Sequence, residues 1–96
     1  MELLVTYDVA TDTAAGRRRL RRVALVCQAY GQRVQKSVFE CVLNSMQLQR
    51  LKDRLSAEID PECDSLRFYR LREPHSKHLE IMGQRPQHDI RDPLVL

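Results

Sequence analysis

Over residues 2–71 the spacing of the apolar residues switches from two to about 3.6 and back, twice, and few folds accept that order. From Glu2 to Val9, Leu3, Val5, Tyr7 and Val9 share one face, and Leu4 on the other adds the apolar character of an interior strand. Leu20, Val23, Ala24, Cys27 and Tyr30 then recur at helical spacing. Small and capping residues at Thr11 to Ala15 precede them and Gly31 follows, so a helix is predicted over residues 13 to 30. Gln32 to Leu43 reads as extended, but its apolar residues move from even positions (Val34, Val38) to odd ones (Phe39, Cys41, Leu43). A period of two cannot change phase without a bulge, bend or tight turn, so two short strands are expected to meet near Lys36 to Val38.

Asn44 or Ser45 can cap a second helix with the stripe Leu48, Leu51, Leu55 and Ile59, stopped by Asp60-Pro61. Ser65 to Leu71 closes the pattern as a strand, with Leu66 and Phe68 on one face and Tyr69 and Leu71 on the other. The order β-α-β-β-α-β predicts an α+β, ferredoxin-like domain over residues 1–72, an antiparallel sheet with two helices on one face. Residues 73–96 hold a short apolar piece (Leu79, Ile81, Met82), a turn-rich middle and the ending Asp92-Pro93-Leu94-Val95-Leu96. These pieces are too small to fold alone. They are expected to add one or more strands to a sheet edge, that of the partner in a homodimer.

A chain of 96 residues buries only roughly 60–65% of the surface its unfolded form exposes, which also favours a partner. Cys27, Cys41 and Cys63 lack C-x-x-C spacing and are odd in number, arguing against a disulfide framework and for a reducing cytoplasm. Cys27 and Cys41 read as small buried hydrophobes. The longest apolar run, Val23 to Cys27, is too short to cross a bilayer, and Met1 leads at once into a strand pattern rather than a basic leader. The expectation is a soluble protein that is not exported and has no membrane partner.

Charge is unevenly placed. Thr13 to Phe39 carries seven basic residues and no acid, so the remainder holds nine basic against thirteen acidic residues. Arg17, Arg18, Arg19, Arg21 and Arg22 wrap past a single helix face without acids at i±4. Those beside the core stripe are expected to fold back over it, and the others suit contact with a phosphate backbone. Arg33 and Lys36 extend the cationic stretch and can neutralise phosphates. An aromatic content of 5% and the absence of Trp leave little for base stacking, and the aromatic-rich motif of single-strand RNA-recognition modules on this fold is missing.

Asp8 ends the first strand as Tyr7-Asp8-Val9, placing a carboxylate at the rim of the sheet beside the basic helix. From position alone, an acid capping the following loop is the simpler reading. A hydrated magnesium ion is the alternative, since it takes oxygen ligands and needs few protein groups; a two-fold axis would supply the second carboxylate. Tyr7 and Phe39 read as core or interface residues, and Ser37 as satisfying backbone groups at the strand break rather than as a nucleophile. His75 and His78, with His88 remote, read as ordinary exposed histidines rather than metal ligands.

Tyr7-Asp8-Val9, together with Gly31-Gln32-Arg33-Val34-Gln35-Lys36-Ser37-Val38-Phe39-Glu40, resembles the CRISPR-associated protein two family. In that family an apolar strand ends in Tyr-Asp and a later strand reads Arg-Val-Gln-x-Ser-Val-Phe-Glu. Ser65 to Leu71 and the Asp-Pro-Leu-Val-Leu ending are similar to the subgroup found with type I-C systems. The resemblance implies a homodimer with Asp8 of each copy at the interface, magnesium or manganese bound there, and endonuclease activity on RNA or double-stranded DNA. It further implies a place in spacer acquisition with the integrase subunit, and roles in nucleic-acid handling for Arg33, Ser37, Phe39 and the helix arginines, of which Arg17, Arg18 and Arg22 are the candidates. A non-catalytic adaptor dimer, bridging two integrase units along duplex DNA, is the competing function.

Overall fold

The two α-helices among the described residues are each started by a side chain that replaces a missing backbone partner. Thr13 accepts from Gly16 N at 3.0 Å, opening α1 (Ala14–Tyr30). Asn44 and Gln47 cap each other's backbone at 2.8 and 2.9 Å, opening α2 (Ser45–Glu58). Gly16 is required by packing, because a Cβ there would overlap the Ala10 carbonyl. The chain leaving the first strand is thereby pressed against the first turn of α1.

The computed structural model describes residues 1–83. Its strands are β1 (Glu2–Asp8), β2 (Gly31–Gln35), β3 (Val38–Val42) and β4 (Ser65–Arg70), in the sheet order β2-β3-β1-β4 with every pair antiparallel. This is the ferredoxin-like arrangement expected from the spacing. The phase change between Val34 and Phe39 has two causes. Lys36 and Ser37 make a turn, and Val34 is an extra residue between the pairs Arg33 with Phe39 and Gln35 with Val38.

Leu3, Val5 and Tyr7 of β1 and Phe39 and Cys41 of β3 meet Val23, Val26 and Cys27 of α1 and Leu51 and Leu55 of α2 in one buried core. The odd positions of β1 therefore face the helices, and Glu2, Leu4, Thr6 and Asp8 face the other way. Cys27 and Cys41 are buried, as read from the sequence, and burial pushes their thiols up to about 12 and about 11. Neither is poised as a nucleophile.

After β4 the chain returns across the helix-free face. Leu71 N donates to the Glu2 carbonyl at 2.8 Å, and a short 3₁₀ turn, His75–His78, follows. Here one expectation is corrected: His78 is exposed, but His75 is buried. Its Nδ1 lies 2.9 Å from a Glu2 carboxylate oxygen and its Nε2 lies 3.2 Å from one of Glu40. Residues three apart in sequence part company because only one lies over the sheet. His88, the Asp92 to Leu96 ending and the added strands lie outside the described residues. No helix among the described residues is long and apolar enough to cross a membrane.

Candidate functional site

Antiparallel topology gathers separate stretches of sequence at the end of β1. Because β1 runs towards Asp8 while β3 and β4 start there, the Lys36-Ser37 turn, the loop from α2 to β4 and the approach to α1 all meet at this rim. Tyr7 N donates to the Ser37 carbonyl and Tyr7 Oη to the Lys36 carbonyl, both at 3.1 Å. Asp8 pairs with Ser65 across the β1–β4 ladder. Tyr7, Asp8, Lys36 and Ser37 are thus brought together, Ser37 through its main-chain carbonyl.

Asp8 is exposed, and among the described residues no hydrogen bond or ion pair engages its side chain. Thr6, Tyr7, Asp8, Ser65, Arg67 and Tyr69 line a shallow groove of about 270 Å³ on the helix-free face. Tyr7 itself is buried, its ring 6.2 Å from that of Phe39 with 25° between the planes. Burial pushes the Tyr7 phenol up, and the neighbouring Arg33 guanidinium pulls it back in part. Arg33 is exposed and stands 5.2 Å from the centre of the buried Phe39 ring. Tyr7 and Phe39 are core residues that support an outward cation; they offer no face to a base.

The helix arginines divide. Arg19 folds back to Asp64, with Nε to Oδ2 at 2.7 Å and Nη2 to Oδ1 at 3.3 Å. The fully buried Asp64 side chain also accepts from Ala10 N at 3.0 Å and Asp60 N at 2.8 Å. Arg19 above all, helped by those two amides, holds the Asp64 carboxyl down at about 2 despite its burial. Ala10 follows Asp8 by two residues and Ser65 is its ladder partner, so this one carboxylate ties down the chain on both sides of the site. Arg17 donates to the Thr11 carbonyl at 3.2 Å, Arg18 is exposed, and Arg22 makes a loose 3.9 Å pair with Glu58 while its side chain stays 67% exposed. Arg17, Arg18 and Arg22 keep charge available to a ligand; Arg19 does not.

Asp64, Arg67 and Tyr69 went unremarked as site residues in the sequence reading. Asp64 and Arg19 are 45 positions apart, beyond any helical or strand spacing. Arg67 and Tyr69 do alternate with the inward Leu66 and Phe68, but their place beside Asp8 depends on β4 pairing with β1.

A family model described as "CRISPR associated protein Cas2" matches residues 1–79. The chain belongs to the Cas2 family. It is 55% identical to a Moorella thermoacetica protein named "CRISPR-associated endoribonuclease Cas2 1" over 96 residues, with 100% of both chains covered. It is 52% identical to a Halalkalibacterium halodurans protein named "CRISPR-associated endonuclease Cas2" over 95 residues, with 99% of each covered. Among solved structures it is similar to Streptococcus pyogenes Cas2 at pH 6.5, with a TM-score of 0.79, 51% identity, and 86% of this chain and 100% of that chain covered.

Proposed function

We propose that the chain is a metal-dependent endonuclease that hydrolyses phosphodiester bonds in RNA or double-stranded DNA and acts as a homodimer. The observation that carries this reading is Asp8: an exposed carboxylate without a side-chain partner among the described residues, at the rim where Lys36 and the start of the basic helix converge. The names of two relatives, one an endoribonuclease and one an endonuclease, support the same chemistry.

Magnesium or manganese fits this donor set only in part within one chain. Among the described residues no group of three or more metal-ligating side chains exists. A hard cation that keeps most of its waters accepts such a sparse site, and Asp8 from a second copy related by a two-fold axis would complete it. Bound there, the ion would supply charge stabilisation for the phosphodiester under attack. Asp8 holds the ion's place, the Arg19–Asp64 node keeps the β1 end from shifting, and Arg33, Lys36, Arg17, Arg18 and Arg22 neutralise and align the phosphates on either side. Ser37 and Phe39 act by fixing the turn and the Arg33 position, and Tyr7 by anchoring Lys36.

A second reading, a non-catalytic dimer bridging two integrase units along duplex DNA, is favoured by the sparseness of the donor set. The integrase partnership, spacer acquisition and membership of a type I-C-like subgroup belong to both readings and rest on the sequence resemblance. The test is cleavage of RNA and duplex DNA by the purified chain. Activity should require magnesium or manganese, disappear on chelation and co-elute with a dimer. A wild-type chain that cleaves neither substrate leaves the bridging reading, and a stable monomer at micromolar concentration removes the shared-ion site.

A further inference from the structure

No side chain among the described residues holds the Asp8 carboxylate, so its position is set by the backbone on either side of it. Up to that point β1 is paired with β3 as far as Thr6 and with β4 as far as Asp8. Beyond it the strand has ended. Val9 is buried in the core, and Ala10 begins the approach to α1. Ala10 is held from two directions. Its N–H donates to Asp64 Oδ1 at 3.0 Å, and its carbonyl fills the place a Cβ on residue 16 would take, which only Gly16 leaves open.

Asp64 is built as a fixed post. Its side chain is fully buried, Arg19 Nε lies 2.7 Å from Oδ2, and Asp60 N donates to that same oxygen at 2.8 Å. A carboxylate whose oxygens are filled by a guanidinium and two amides cannot turn without breaking charge-assisted hydrogen bonds. The next residue is Ser65, the ladder partner of Asp8. Asp8 is therefore fastened to one buried group by two routes, across the ladder through Ser65 and along the chain through Ala10.

We propose that Asp64 is a positioning residue for a divalent cation at Asp8, acting through the Ala10 amide, with Gly16 as the wall against which Ala10 closes. The inference rests on the reading of Asp8 as the carboxylate of a shared ion and deepens it by naming what sets the affinity of that site. Asp64 itself touches neither the ion nor the substrate. In a two-fold dimer a single substitution displaces both copies of Asp8, so a small shift of the β1 end counts twice. Groups that orient a metal ligand from behind alter affinity by roughly 10–100-fold when they are lost.

The test is manganese titration of the full-chain dimer, read from the electron paramagnetic resonance signal of the unbound ion. Asp64→Asn should weaken binding roughly 10–100-fold. Arg19→Gln loosens the same post while removing a positive charge, so a purely Coulombic effect would tighten cation binding and a positioning effect weakens it. Gly16→Ala moves Ala10 without touching any charge and should also weaken binding, which keeps the test decisive if either of the other variants does not fold. Affinity for RNA and for duplex DNA in chelator should be unchanged throughout. In an Asp8→Asn background, Asp64→Asn should cause no further loss, because its effect passes through the carboxylate already removed. Shifts of opposite sign in Asp64→Asn and Arg19→Gln would reduce the post to a charge effect and overturn the inference, as would a further loss in the Asp8→Asn background. Wild type that binds manganese alongside variants that bind it equally sinks this inference alone, whereas wild type that binds none sinks the shared-ion reading and this inference with it.

Discussion

Glu2 and Asp8 stand at opposite ends of β1 on the same face of the sheet, and the fold treats these two acids in opposite ways. Glu2 is 0% exposed: one carboxylate oxygen meets His75 Nδ1 at 2.9 Å, the other accepts from His75 N at 3.1 Å, and its own amide donates to Glu73 at 2.9 Å. Asp8 is exposed and its carboxylate meets none of these. Burying a carboxylate without partners is prohibitively costly, so the Glu2 end needed a base from the returning chain. Its polar atoms find partners within the molecule. At the Asp8 end, the acid and the surrounding cations of Lys36, Arg33 and Arg67 are left to meet something outside it. One end of the sheet is a clasp and the other is an open rim.

The sharpest way to break this comparison is to remove the base. His75→Ala removes the one side chain that meets both the buried Glu2 and the neighbouring Glu40 carboxylates, and should destabilise the fold by about 3–5 kcal/mol in urea unfolding. A loss of less than about 1 kcal/mol would mean that the clasp contributes no more than a surface ion pair. Next in size is the node behind the site. Asp64→Ala orphans the Ala10 and Asp60 amides and should cost about 1–3 kcal/mol. Because the Asp64 carboxyl is held down at about 2, below its unfolded value of about 3.9, its stabilisation is complete above that value and is lost as pH falls through about 2. The variant should therefore show a flatter decline than wild type across that acid window, and an identical decline would assign the acid sensitivity to other carboxylates. The smallest effect belongs to the open end: Asp8→Asn should change stability by no more than about 0.5 kcal/mol, since its side chain holds nothing together. A larger loss would make Asp8 a structural cap after all.

How much of this could be read in advance depended on the range of the interaction concerned. The strands, the helices, the Asn44 cap and the break near Lys36 are local, and a phase change in a period of two announces itself within ten residues or so. Asp8 was visible for a related reason, since an acid that ends an apolar strand must sit at a rim. The clasp was not visible: nothing around His75 indicates that Leu71 to His78 doubles back over the sheet, and its partners Glu2 and Glu40 belong to distant strands. Arg19 looked like its four neighbours until the loop from α2 brought Asp64 to it. Arg67 and Tyr69 needed the pairing of β4 with β1 to become neighbours of Asp8.

The central claim is that the open acid serves function and not folding, and Asp8→Asn tests it most directly when cleavage and thermal unfolding are measured on one preparation. The account predicts loss of magnesium- or manganese-dependent cleavage with the melting temperature, the dimer and duplex binding unchanged. Cleavage equal to wild type, or loss of cleavage accompanied by dissociation or a lowered melting temperature, would contradict it.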